Sequence, residues 1–152
     1  MGENPIATEP EREKIQEALK QVEFLVVQDM FLTQSAELAD VVLPSAGFTE
    51  QEGTLTNTER RIQKLRPALP APAGSRPDWR ILADLLTQFD PGTSYTDAQS
   101  VYREIMEVVP FYEGLTYERL EEGGLQWPYT EKDSSGMLTL DSFRKPLEFA
   151  TS

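Results

Sequence analysis

Apolar and polar residues fall into blocks along this chain, and the two strongest apolar blocks lie between Phe24 and Arg61. Phe24-Leu25-Val26-Val27 is short, continuous and rich in β-branched residues, and it closes on the polar pair Gln28-Asp29. That is the pattern of a strand buried on both faces of an α/β sheet, with hydrogen-bonding side chains at its carboxyl end. Asp40-Val41-Val42-Leu43-Pro44 reads as a second buried strand, stopped by a proline that has no N–H for a ladder. Between them, Thr33 is placed to cap a short helix over Gln34 to Ala39. The strand-to-strand spacing of roughly a dozen residues fits a compressed β-α-β crossover.

The flanks read as support. Gly2-Glu3-Asn4-Pro5 is a turn, and Thr8-Glu9-Pro10-Glu11 starts a helix whose stripe Ile15, Ala18, Leu19 and Val22 should pack on the sheet. Glu11, Arg12, Lys14, Glu17 and Lys20 are its solvated face. Thr54 to Leu65 alternates polar and apolar residues, as extended chain or a loose hairpin does. Pro67 to Pro77 is proline-rich and predicts an extended surface connector. Asp78 is placed to cap a helix with the stripe Trp79, Leu82, Leu85, Leu86 and Phe89, ended by Asp90-Pro91-Gly92. Thr96 and Gln99 match a capping box for a further helix that should bury Val101, Ile105, Met106 and Val109, with Pro110 as its stop. Beyond Phe111 the apolar residues are aromatic: Phe111, Tyr112, Tyr117, Trp127 and Tyr129. A short helix over Thr116 to Leu120 should close at Gly123-Gly124, and Leu147 to Ala150 is a weak strand in the tail.

Composition narrows the chemistry. The chain has 152 residues and a net charge of -12, from 26 acidic and 14 basic side chains. That is one domain's worth of core, and a charge that argues against nucleic acid or an anionic membrane surface as partner. With neither cysteine nor histidine in the sequence, disulfides, zinc sites, iron-sulfur ligation and histidine acid-base catalysis are excluded within it. No apolar run approaches the roughly 18 residues of a membrane span, so direct insertion is not expected and a cytoplasmic location is the default. Glu50 and Glu52 are spaced for acid-base work, although two such carboxylates more often sit in an exposed loop. Arg60 and Arg61 suit phosphate or carboxylate, but neighbours on a strand face opposite ways, so one at most meets a given ligand. The aromatics near Gly123 and Pro128 suit either stacking on a flat ring system or a packed loop.

Several motifs then recur together, in one order and over nearly the whole chain. They are Met1-Gly2-Glu3-Asn4-Pro5, Val27-Gln28-Asp29, Thr33, Ala39-Asp40-Val41-Val42-Leu43-Pro44, Glu52-Gly53-Thr54, Asn57-Thr58-Glu59-Arg60-Arg61, Asp78-Trp79 and Gly123-Gly124-Leu125-Gln126-Trp127-Pro128. In these the chain resembles the molybdopterin-dinucleotide oxidoreductases, within them the formate dehydrogenase catalytic subunits and the large G subunit of NADH-quinone oxidoreductase. Tyr129 departs from the cysteine common at that place. The resemblance implies an α/β fold, a small sheet with flanking helices and an irregular aromatic-rich carboxyl-terminal segment. It divides the chain into a cofactor-binding segment (1–66), the connector (67–77), a helical segment (78–136) and a tail, strand or disordered (137–152).

Members of that family bind a bis(molybdopterin guanine dinucleotide) molybdenum or tungsten centre between several domains. They take two electrons from a substrate such as formate and pass them to iron-sulfur clusters. By the resemblance, Gly2, Glu3 and Asn4 lie beside the diphosphate and ribose of one dinucleotide, Gln28 and Asp29 bond its nucleoside, and Thr33 steadies the loop. The family's catalytic cysteine or selenocysteine, neighbouring histidine, cluster cysteines and terminal barrel have no counterpart here. The expectation is therefore an internal piece of a larger oxidoreductase, starting at a motif that a strand should precede and inactive alone. It has no catalytic or metal-ligating residue of its own. Its partners would be the remaining domains and iron-sulfur or diaphorase subunits. The alternative is a structural segment of the respiratory G subunit with a vestigial pterin site; the third reading is a small acidic adaptor. The intact Gly2-Glu3-Asn4-Pro5 and Gln28-Asp29 favour the first.

Overall fold

A computed structural model describes residues 2–128; the expected strand at Leu147 to Ala150 and the departure at Tyr129 lie outside them. The fold is α/β, and the described chain forms two compact units, residues 2–53 with 65–101 and residues 54–64 with 102–128.

In the first unit Asn4 precedes Pro5, whose fixed φ suits a first helical position, and the short helix α1 (Pro5–Thr8) follows. Thr8 therefore ends a helix instead of capping the next one, its hydroxyl donating to the Asn4 carbonyl at 3.2 Å. Helix α2 (Arg12–Lys20) starts beyond Pro10 and buries no side chain fully. Ile15 and Leu19 are half-buried, Ala18 and Val22 are exposed, and the main packing partner is α1, not the sheet.

Strands β1 (Val26–Asp29) and β2 (Val41–Pro44) pair in parallel, with Val26 opposite Val41 and Asp29 opposite Pro44. The crossover is shorter than expected: a 3-10 turn, Ala36–Leu38, replaces the helix over Gln34 to Ala39. Ser35, not Thr33, stands at its cap position, and Thr33 supports the turn from two residues earlier, its Oγ1 accepting from the Ala36 N–H at 3.3 Å. Asp40 leaves no room for more, since its carboxylate accepts the Leu25 N–H at 2.8 Å and begins the next strand. The strands are not buried on both faces. Phe24 is 63% exposed and Val26 45%, because two short strands and one turn have too little apolar surface to cover a parallel sheet. What is buried is the carboxyl end: Gln28, Asp29, Ser45 and Ala46.

The proline-rich stretch runs without helix or strand, and at its end Arg76 lies parallel to Ser45, the Ala46 N–H donating to the Arg76 carbonyl at 2.8 Å. Helix α3 (Asp78–Phe89) follows, with Pro77 at the cap position; Asp78 is its first residue, not its cap. Ile81 and Ala83 are its buried residues, while Leu82, Leu85, Leu86 and Phe89 are exposed. The described residues cover that stripe only in part, and Phe89 least, at 84% exposed.

The second unit is built on a sheet of order β3-β4-β5, from β3 (Gly53–Thr56), β4 (Arg61–Leu65) and β5 (Leu125–Gln126). The hairpin is clamped by Asn57, whose Oδ1 accepts the N–H groups of Glu59 at 3.0 Å and Arg61 at 2.9 Å. Strand β5 is antiparallel to β4 and was not expected. It needs Gly124, where a Cβ would stand 2.8 Å from the Cγ atoms of Arg61 and Gln63. Helix α4 (Ala98–Val108) carries the chain in from the first unit. Its reciprocal cap is Asp97 with Ser100, one residue on from the expected Thr96 and Gln99: the Ser100 N–H donates to Asp97 Oδ1 at 2.7 Å. A carboxylate beside a helix N-terminus is favoured there.

The core joins Ile62, Tyr102, Leu115, Tyr117 and Leu120, so α4 buries Tyr102, whereas Val101, Ile105, Met106 and Val109 are half-buried. A 3-10 turn at Arg119–Glu121 stands where a helix over Thr116 to Leu120 was expected. The aromatics pack on one another, with Tyr102 and Tyr117 centroids 5.6 Å apart and Tyr112 stacked on Trp127 at 6.4 Å.

Candidate functional site

Parallel strands present their functional side chains at their carboxyl ends, and in the first unit the buried polar residues Gln28 and Asp29 close β1 while Ser45 follows β2. Gly2 has φ +62°, a left-handed conformation that favours glycine, and no atom lies within 4 Å of the place a Cβ would take. Its N–H donates to the Gln28 carbonyl at 2.8 Å, which lays residues 2–4 beside the strand end. Asn4 ties the same turn to the crossover. Its Nδ2 donates to Gln34 Oε1 at 2.8 Å, and its Oδ1 accepts from the Ser35 hydroxyl at 2.8 Å and the Ser35 N–H at 3.4 Å. Thus Gly2, Asn4 and Gln28 share one hydrogen-bonded frame, and Thr33 closes the adjoining turn. Glu3 is exposed and makes no hydrogen bond to the described residues.

Gln28 and Asp29 are both buried, and they are engaged differently. Gln28 Nε2 donates to Asp78 Oδ1 at 2.6 Å, which ties β1 to the first residue of α3 and leaves Gln28 Oε1 without a donor among the described residues. Asp29 Oδ1 accepts the Phe31 N–H at 3.2 Å, a local turn that starts the loop and leaves the second carboxylate oxygen unengaged among the described residues. The loop that follows is apolar and open, with Met30, Phe31 and Leu32 all exposed and Phe48 exposed in the loop after β2.

Of the remaining sequence candidates, Glu50, Arg60 and Arg61 have structural partners. Glu50 accepts the Gly47 N–H at 2.8 Å, and Glu52 is exposed, so the two form no acid-base pair. Arg61 donates to the Gly124 carbonyl at 2.8 Å, and the Arg60 guanidinium lies 6.0 Å from the centre of the Trp127 ring. Three contributors were missed: Ser35, Gln51 and Asp78. A small polar residue next to a predicted turn was the available signal for Ser35; Gln51 lay in a turn rich in carboxylate and amide groups, and Asp78 was read as a cap and as part of the Asp78-Trp79 motif, not as a partner of Gln28.

Comparison with known proteins bears on this frame, because a model of the family described as "Molybdopterin oxidoreductase" matches residues 1–88. The chain belongs to the molybdopterin oxidoreductase family. The matched stretch includes every residue of the frame. The chain is 45% identical over 138 residues to the F420-dependent formate dehydrogenase subunit alpha of Methanocaldococcus jannaschii, covering 90% of this chain and 20% of that protein. It is 40% identical over 150 residues to the F420-dependent formate dehydrogenase 2 subunit alpha of Methanococcus maripaludis, covering 96% and 22%. It is 36% identical over 155 residues to the assimilatory nitrate reductase catalytic subunit of Bacillus subtilis, again 96% and 22%. The chain thus spans about a fifth of the length of the curated relatives it matches.

Membership of a molybdopterin oxidoreductase family implies a molybdopterin cofactor. Two features of the frame suit such a group: the backbone at Gly2 is open to close approach, and one Asp29 oxygen has no hydrogen-bond partner among the described residues. Among the described residues no helix is long and apolar enough to cross a membrane.

Proposed function

We propose that residues 2–34 form one wall of a molybdopterin guanine dinucleotide site in a formate dehydrogenase-like oxidoreductase. The observation that carries this reading is the bond from Gly2 to the Gln28 carbonyl, which brings an open glycine turn and the Gln28-Asp29 strand end together. The cofactor, when bound, supplies two-electron redox chemistry. The chain's own residues bind and orient. Gly2, Glu3 and Asn4 border the diphosphate and ribose: Gly2, its N–H given to Gln28, leaves room for close approach, and the main-chain N–H groups of Glu3 and Asn4 suit anions. Asp29 takes a ribose hydroxyl or a guanine amino group through its unengaged oxygen, Gln28 offers its carbonyl oxygen, and Thr33 keeps the loop closed through Ala36.

Formate dehydrogenase is favoured as the parent activity by the relatives named above, two of which are formate dehydrogenase alpha subunits. The partners proposed are the further domains of such an oxidoreductase and its electron-accepting iron-sulfur or diaphorase subunits, in the cytoplasm. Lacking cysteine and histidine, and with one wall of the site only, the purified chain does not retain the cofactor and does not itself oxidise formate.

The test is a titration of the chain with guanosine monophosphate, followed by amide chemical shifts. With one wall of a site present, affinity should be no better than roughly millimolar, about -4 kcal/mol. Shifts should gather at residues 2–4 and 28–33 and vanish in Asp29→Ala. Shifts scattered over α2, or none at millimolar nucleotide, would overturn the reading.

A further inference from the structure

The hydrogen bonds behind Gln28 determine which end of its amide is available. Amide oxygen and nitrogen are told apart by their partners, and here the partners leave one choice. The Asp78 main-chain N–H can only donate, and it meets Gln51 Oε1 at 3.2 Å; the Ala46 carbonyl can only accept, and it meets Gln51 Nε2 at 3.2 Å. Gln51 is therefore oriented by the main chain on both sides. Its Nε2 also faces Asp78 Oδ2 at 3.4 Å, which turns the other carboxylate oxygen, Oδ1, toward Gln28. A carboxylate has no proton to give at neutral pH, so Gln28 can meet it only through Nε2, at 2.6 Å, with a longer contact of 3.5 Å to the Asp78 carbonyl.

We propose that Asp78 and Gln51 are positioning residues that lock the Gln28 amide with its nitrogen inward, so that a ligand at the end of β1 meets an acceptor there and never a donor. This rests on the nucleotide-binding reading above. With the unengaged Asp29 oxygen, the strand end then offers acceptors alone from its side chains. Such a surface selects ligand groups that donate: ribose hydroxyls, or the N1–H and amino edge of guanine. Hypoxanthine keeps the N1–H but lacks the amino group, so inosine monophosphate is the matched weak probe. Neither Asp78 nor Gln51 needs to touch the ligand for this.

Asp78→Asn reverses the lock by a predictable route. Gln51, held by the main chain, still demands an oxygen at the position of Oδ2, so the new amide nitrogen points at Gln28. Gln28 must then flip, accept through Oε1, and expose its nitrogen. In the wild-type chain the Gln28 side-chain amide protons should exchange with solvent at least about tenfold more slowly than those of the exposed Gln88, the factor expected for one good hydrogen bond. In Asp78→Asn that protection should disappear, and the preference for guanosine over inosine monophosphate should fall toward unity with the melt retained. If Asp78→Asn does not fold, Gln51→Met should loosen the same lock and lower the protection without altering the Gln28 partner.

Wild-type exchange as fast as at Gln88, or protection unchanged in both variants, would overturn the lock while leaving guanosine shifts at the strand end intact. Full protection with no guanosine shifts anywhere would instead overturn the binding reading, and with it the ligand-facing half of this proposal.

Discussion

Replacing Asn4 by alanine removes three side-chain hydrogen bonds, to Gln34, the Ser35 hydroxyl and the Ser35 N–H. The magnitude follows from where the partners lie. Ser35 is 2% exposed, so its two donors lose their acceptor in a place water does not reach, at about 1–3 kcal/mol for such buried groups. The bond to Gln34 is exposed and adds a few tenths of a kcal/mol at most. The expected cost is about 2 kcal/mol, which moves a urea midpoint by about 1 M at the slope typical of small domains. Asn4→Asp keeps the acceptor for Ser35 and loses only the donor to Gln34, so it should cost less than about 1 kcal/mol. The assay is urea unfolding followed through the amide resonances of Ile6, Ser35 and Ala36. An Asn4→Ala chain within about 0.5 kcal/mol of wild type, or Asn4→Asp worse than Asn4→Ala, would refute the claim that Asn4 clamps the glycine turn to the crossover.

Tyr102→Phe should stabilise the chain by about 1 kcal/mol, since the buried hydroxyl has no partner among the described residues. Burial above all, and then the neighbouring Tyr112, raises that phenol above its ordinary 10.0. The proton is thus held more tightly in the folded chain, so this contribution is intact below about pH 10 and falls away as pH rises further. Melts from pH 8 to 11 should show a smaller alkaline loss in the phenylalanine variant; an equal or larger loss contradicts the assignment. Gly124→Ala should cost more than about 1 kcal/mol by forcing apart β4 and β5, and wild-type exchange protection at Ile62 would exclude that. Ile81→Asp should abolish the cooperative melt of the first unit, while Leu82→Asp, on the exposed side of α3, should change stability by less than about 0.5 kcal/mol. Similar damage from both would show the buried face to be misplaced.

Strand β1, strand β2 and the glycine turn were readable because continuous β-branched runs and Gly2-Glu3-Asn4-Pro5 have few other solutions in a folded chain. Burial was not readable in the same way. The stripe Leu82, Leu85, Leu86 and Phe89 is as apolar as a core helix face, yet apolarity states what a residue would prefer to touch, not what is there to touch it. The error at Asp78 is of another kind. An aspartate after a proline at the start of a helix satisfies the cap rule, and the rule cannot weigh a partner 50 residues away in sequence such as Gln28. Tyr102 was passed over because the periodic stripe was counted on aliphatic residues, and β5 because two residues carry no period. For the site, the sequence named the turn, the strand end and Thr33; the hydrogen bonds through Ser35, Gln51 and Asp78 that join and orient them are long-range and needed coordinates.

The most direct test of the account is the measurement of intermolecular nuclear Overhauser effects between guanosine monophosphate and the chain at millimolar nucleotide. The account requires contacts from the ribose and base protons to the amide and side-chain protons of residues 2–4 and 28–33, lost in Asp29→Ala. Contacts confined to other segments, such as α2 or the proline-rich stretch, would contradict it.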